Sequence, residues 1–139
     1  MIRKANANWK GAGKDGKGHL KTQSGALDAQ FGFLSRFENG VGTNPEELLA
    51  AAHAGCFTMS VAFALERAGH PADDLDCDCA VSVIKDDSGF TINRSALTLK
   101  AKVPGMTNEA FEPLVQGAKA GCPVSKLFDA EIVLEWTLE

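Results

Sequence analysis

The sequence predicts an α+β domain: antiparallel strands packed around one long, buried helix. Two observations carry this. Residues 44–67 form an apolar run with helix signals at both ends, and four other segments alternate apolar and polar residues with the period of a strand. At 139 residues the chain is expected to be a single domain, 1–139, large enough to bury a real core.

Ala5, Ala7 and Trp9 alternate with Lys4, Asn6 and Asn8, which reads as a first strand. Gly11–Gly18 follows and nearly matches a phosphate-binding loop, with Gly11, Gly16 and Lys17 in place. Gly18 stands where that loop needs Ser or Thr, and no helix pattern follows, so a hairpin turn is the reading. Short strands around His19–Thr22 and Ala26–Phe31, with Gly25 in a turn, complete a meander. Phe31–Glu38 is an apolar stretch with Arg36 embedded in it. Arg36 is either a surface charge in a strand or loop, or a fixed cation aimed into the core.

The central helix begins at Pro45. Thr43 or Asn44 can cap it, proline suits the first turn, and Glu46 and Glu47 favour its positive end. Arg67, Gly69 and Pro71 mark its close. Leu48–Leu65 is apolar nearly all round, which calls for burial. A membrane span is the competing reading. The run is rich in alanine and small polar residues, contains His53, and lacks an aromatic belt and flanking lysine clusters, so a globular core is favoured.

Cys77, Cys79, Val81 and Val83 mark the next strand. Asp86–Gly89 turns it into another, with Leu97, Leu99, Ala101 and Val103 on one face. Thr107 or Asn108 caps a helix whose stripe is Phe111, Leu114, Val115 and Ala118. Gly121-Cys122-Pro123 breaks it and starts a short helix, and Ile132, Leu134, Trp136 and Leu138 form a last strand.

The net charge of −4 offers no basic footprint for nucleic acid. The N-terminus shows no apolar run behind its charges, so cytoplasmic residence is the expectation. Four cysteines in such a chain are core residues, metal ligands or redox thiols. Cys77 and Cys79 would have α-carbons ~6.6 Å apart on one strand face, a poor disulfide geometry, and small core residues are the favoured reading. Metal binding with His53, His70 or Cys56 competes, without a spaced ligand pair to support it. Cys56 sits among Ala52, Ala54 and Gly55, three residues after His53. A Cys–His nucleophilic pair is conceivable there; a satisfied core histidine is commoner. Cys122 precedes Pro123, so its thiol faces the N-terminus of a helix, a setting that lowers a thiol's pKa.

Three stretches, Thr43-Asn44-Pro45-Glu46-Glu47-Leu48, Ala52-His53-Ala54-Gly55-Cys56-Phe57 and Ala118-Lys119-Ala120-Gly121-Cys122-Pro123-Val124-Ser125, together resemble the OsmC/Ohr family of hydroperoxide-reducing proteins. The resemblance covers essentially the whole chain. It is to the OsmC branch: Ohr-type proteins place their arginine in the first turn, where this chain has Lys14 and Lys17, whereas OsmC-type proteins place it at Arg36. The resemblance implies an OsmC-like fold, an intertwined homodimer with sites at the subunit interface, and no cofactor or metal. It implies Cys56 as the peroxide-attacking thiol, Cys122 as the resolving thiol, Arg36 as the activating cation and Glu46 as its carboxylate partner. The implied substrates are organic hydroperoxides, with hydrogen peroxide used less well, the implied reductant is a dithiol such as a lipoyl group, and the implied role is in oxidative or osmotic stress. Composition adds a guess that Phe33, Phe37, Phe57, Met59 and Phe128 line an apolar entrance. The alternative is a metal- or ligand-binding domain with structural thiols.

Overall fold

The computed structural model describes residues 1–139, which form two compact units, Met1–Leu48 and Leu49–Glu139.

The first unit is a three-stranded antiparallel meander of β1 (Ala5–Lys10), β2 (Lys17–Thr22) and β3 (Asp28–Phe31). The Gly11–Gly16 segment is the hairpin connection that its glycines suggest. Phe31–Glu38 differs from the strand-or-loop reading: Phe33–Phe37 is a short helix, α1. Ser35 explains why. Its hydroxyl accepts from the Gly32 N–H at 2.9 Å and donates to the Thr43 carbonyl at 2.9 Å, closing the turn and fastening it to the chain ahead. Asn44 Nδ2 donates to the Ser35 carbonyl at 3.1 Å. Gly42 lets the chain pass close to β3: its φ is +122°, and a Cβ there would collide with the Gln30 carbonyl oxygen.

Helix α2 (Pro45–Arg67) starts in this unit and continues into the second. Asn44 caps it, its side-chain oxygen accepting from the Glu47 N–H at 2.8 Å.

The second unit holds the core. β4 (Asp74–Asp86) and β5 (Gly89–Lys102) form a long hairpin with a register shift at Ser82/Val83. Helices α3 (Asn108–Gly121) and α4 (Pro123–Leu127) follow, then β6 (Glu131–Leu138). Thr107 caps α3 by accepting from the Ala110 N–H at 3.3 Å. β6 pairs with β5 in parallel, not antiparallel as expected. The two helices between them supply the long crossover that parallel pairing requires. Leu97, Leu99 and Ala101 of β5 are buried with Phe57, Val61 and Leu65 of α2 and Phe111, Val115 and Ala118 of α3. Trp136 of β6 packs on Phe111 with ring centroids 5.0 Å apart.

One expectation changes in degree. Within the chain α2 is buried along a single stripe, His53, Phe57, Val61 and Leu65, and not all round. One sheet and one helix can cover only one side of it. Ala52, Gly55 and Ala62 on another side are open, and Met59 and Phe63 are 61% and 54% exposed. The helix is long and apolar enough to cross a membrane by length and composition, but Phe57, Val61 and Leu65 of its buried stripe belong to the core cluster above.

Candidate active site

The sequence-predicted residues fall into two pairs, one in each unit. In the second unit, Cys122 Sγ donates to Cys56 Sγ at 3.0 Å. Cys56 is carried by α2. Cys122 stands at the junction of α3 and α4, where its φ of −58° and ψ of 123° end one helix and cap the next. Pro123 enforces that break by starting α4 at its first position. All four cysteines are free thiols, and Cys122 is fully buried.

The two thiols have opposite electrostatics. Burial alone would raise Cys122. The neighbouring Cys56 thiol, the Ser125 N–H and hydroxyl and the Val124 N–H outweigh it and bring the pKa below the ordinary thiol value. The Val124 and Ser125 N–H groups, at the start of α4, are the helix-terminus part of this effect. Cys56 is pushed up instead, by burial first and by the Cys122 thiol, with the Val124 N–H opposing. Of these influences only the Val124 N–H favours a Cys56 thiolate.

In the first unit, Arg36 and Glu46 form a forked pair. Arg36 Nη2 and Nε donate to Glu46 Oε1 at 2.7 and 3.1 Å, and Nε also reaches Oε2 at 3.3 Å. The Glu46 side chain is 14% exposed and that of Arg36 40%, so the carboxylate is the seated partner and the guanidinium keeps an open side. The contact exists because the Ser35–Thr43 and Asn44–Ser35 bonds fold α1 onto the start of α2. The guanidinium also lies over the Phe37 ring, 5.2 Å from its centroid, and Phe37 packs on Phe33.

His53 resolves in favour of the core reading. It is fully buried, with Nδ1 2.7 Å from Ser95 Oγ and Nε2 2.8 Å from Ser125 Oγ, and its ring meets Phe128 edge-on at 5.0 Å. Desolvation lowers its pKa, so it is held neutral. With both ring nitrogens engaged by serines, His53 is not paired with Cys56.

Cys79 Sγ lies 3.3 Å from Ser95 Oγ. Burial raises Cys79, and it raises Cys77 to about 11, against a hydrogen bond from Thr58. Both flank the core as poor nucleophiles. The partners of His53 and Cys79 are hydroxyl groups and Cys77 donates to the Asp78 carbonyl, which is not the donor set of a zinc site. Phe57 does not line an entrance: it is fully buried in the core.

The sequence reading missed Ser95 and Ser125. A signal for Ser95 was present, because it occupies the same strand face as Leu97 and Leu99. A polar residue in the buried phase of a strand needs a buried partner.

The family described as OsmC-like protein matches residues 37–137. The chain is 46% identical over 138 residues to Peroxiredoxin OsmC of Escherichia coli (strain K12), covering 99% of this chain and 96% of that protein. It is 32% identical over 112 residues to the organic hydroperoxide resistance protein OhrB of Bacillus subtilis (strain 168), covering 78% and 79%. The crystal structure of OhrB of Bacillus subtilis superimposes with a TM-score of 0.68 at 26% identity over 98% of each chain. An OsmC-like protein from Vibrio cholerae reaches 0.79 at 14% identity over 99% of each chain, a likeness of fold alone. By sequence and by fold, this chain belongs to the OsmC-like protein family.

Proposed function

We propose that the chain is a peroxidase that reduces organic hydroperoxides with Cys56 and Cys122. The observation that carries this reading is the 3.0 Å contact between two free thiols that lie 66 residues apart in sequence. The names of its relatives, a peroxiredoxin and organic hydroperoxide resistance proteins, fit the same chemistry.

The Cys56 thiolate attacks the outer peroxide oxygen. The O–O bond breaks, the alcohol leaves with a proton, and Cys56 becomes a sulfenic acid. Cys122 condenses with it, releasing water and closing a disulfide before irreversible over-oxidation. An external dithiol, such as a lipoyl group, restores both thiols by exchange. Arg36, oriented by Glu46, supplies the cation that Cys56 lacks and holds the polarised peroxide.

The protein works as a homodimer. A second copy covers the exposed side of α2, where alanines and Gly55 permit close approach beside Met59 and Phe63. Free thiols suit the reducing cytoplasm. The test is steady-state turnover of cumene hydroperoxide with a lipoyl recycling system. Turnover in wild type and none in Cys56→Ser is expected; equal turnover in both overturns the mechanism.

A further inference from the structure

A cleft of about 440 Å³ runs between α2 and α3 in the second unit. That volume falls in the range of small-molecule sites, roughly 300–1,000 Å³. Ser60, Phe63 and Ala64 line it from α2, and Leu114, Gly117 and Gly121 from α3. It follows α2 from Ser60 to Arg67, ~10 Å along the axis. None of the aromatic residues that composition suggested for an apolar entrance lines it; Phe63 does.

One end of the cleft adjoins the thiol pair. Ser60 stands one turn past Cys56 on the same helix face, and its hydroxyl donates to the Cys56 carbonyl at 2.9 Å. Gly121 immediately precedes Cys122. The Ser60 hydroxyl is spent on its own helix, so the side-chain walls are the apolar Phe63, Ala64 and Leu114, with Arg67 as the one charged residue lining the cleft.

Two glycines keep this room open. Gly117 and Gly121 lie inside α3, where glycine destabilises a helix relative to alanine. Nothing else in the chain calls for them. Neither has a positive φ, and a Cβ at either position would meet no other part of the fold within 4 Å. Both line the cleft, so a larger side chain at either would narrow it.

We infer that this cleft holds the organic part of the hydroperoxide, and that Gly117 is a specificity-determining residue for substrates with bulky apolar groups. The inference rests on the peroxidase reading above. Cys122 is fully buried, and His53 and Phe57 fill the inner face of α2. A substrate whose peroxide meets Cys56 must therefore extend its organic group along the outer surface, where the cleft adjoins the thiols. Phe63, 54% exposed, stands between the cleft and the side of α2 that the second copy covers. Burying the organic group removes apolar surface from water, so the cleft favours a hydroperoxide with a large organic group over hydrogen peroxide, which has none. No bond forms or breaks in the cleft, and the thiol chemistry is that given above.

The experiment compares hydrogen peroxide, tert-butyl hydroperoxide and cumene hydroperoxide in wild type, Gly117→Ala and Gly117→Leu. Both substitutions favour a helix, and leucine fills the cleft from α3. The ratio of kcat/KM for cumene hydroperoxide to that for hydrogen peroxide is expected to fall at least about tenfold in Gly117→Leu. A smaller fall is expected in Gly117→Ala, and tert-butyl hydroperoxide should lie between the other two peroxides. A ratio unchanged in Gly117→Leu overturns the inference, whether the two rates hold or fall together. Analytical ultracentrifugation of the same variants tests the other occupant. Dissociation of Gly117→Leu at concentrations where wild type stays dimeric assigns the cleft to a second copy and also overturns the inference. Wild type that consumes none of the three peroxides removes the peroxidase reading instead, and this inference with it.

Discussion

Cys122 Sγ donates a hydrogen bond to Cys56 Sγ across 3.0 Å, although Cys56 lies within α2 and Cys122 at the junction of α3 and α4. A disulfide needs the sulfurs about 2 Å apart, so small side-chain rotations close the bridge.

Peroxide treatment should therefore yield a Cys56–Cys122 bridge in mass spectra of tryptic peptides. Cys122→Ser should reduce about one peroxide per site and then stop, with Cys56 accumulating as sulfenic and then sulfinic acid. A Cys77–Cys79 bridge in the wild type would contradict this. Those two thiols sit side by side along β4, and burial holds Cys77 at about 11, far from a reactive thiolate.

Arg36→Ala should raise the pKa of Cys56, measured by thiolate absorbance against pH. Burial and the Cys122 thiol already push Cys56 upward, so removal of the cation leaves nothing strong to oppose them. Each unit of rise removes about tenfold of the thiolate at neutral pH, and the peroxide-reduction rate should fall with it. Arg36→Lys keeps the charge but loses the fork that engages both Glu46 oxygens, so partial activity at best is expected. An unchanged titration in Arg36→Ala would show that another group activates the thiol.

His53 makes stability depend on pH. Its pKa is lowered in the fold by burial, so the unfolded chain binds the proton more readily. Stability is fully present above the ordinary histidine value of 6.5 and is lost as pH falls below it toward the folded value. Thermal melts of wild type should drop as pH falls below about 6.5, and His53→Gln should remove part of that slope. Parallel slopes would mean that His53 is not the linked group.

Much of this arrangement was legible in the residues. The Asn44 cap, the Pro45 start and the strand periodicities of β4 and β5 are local signals, and local structure follows them. The Cys122-Pro123 break likewise announced a thiol at a helix terminus. What the sequence concealed is non-local. The parallel seat of β6 depends on the path taken by α3 and α4, and no residue in β6 itself encodes it. The Ser95–His53–Ser125 line joins residues 42 and 72 positions from the histidine, so no short motif contains it. The helical state of Phe33–Phe37 rests on a Ser35 bond to Thr43, eight residues away, in a stretch whose composition suits a strand. The uniform apolarity of α2 was read as burial within the chain. One side of the helix is open there, which is what an interface between chains requires of such a sequence.

The last prediction concerns how the two pairs combine. Glu46 and Cys56 are ten residues apart on the continuous helix α2, which separates them by ~15 Å along its axis. Arg36 is held by Glu46 of its own chain. Two copies of α2 crossing antiparallel near Ala51 would bring Glu46 of each chain level with Cys56 of the other, and a two-fold axis then makes two such sites together. The test is a mixed dimer in which one chain carries Cys56→Ser and the other Glu46→Gln, after Glu46→Gln alone has been shown to be strongly impaired. With shared sites, one site carries both lesions and the other is intact, so about half of the wild-type activity per dimer should return. With sites built inside each chain, both are damaged, and activity should not exceed the mean of the two single-variant homodimers. That lower value would place Arg36 and Glu46 with the thiols of their own chain and refute the shared site.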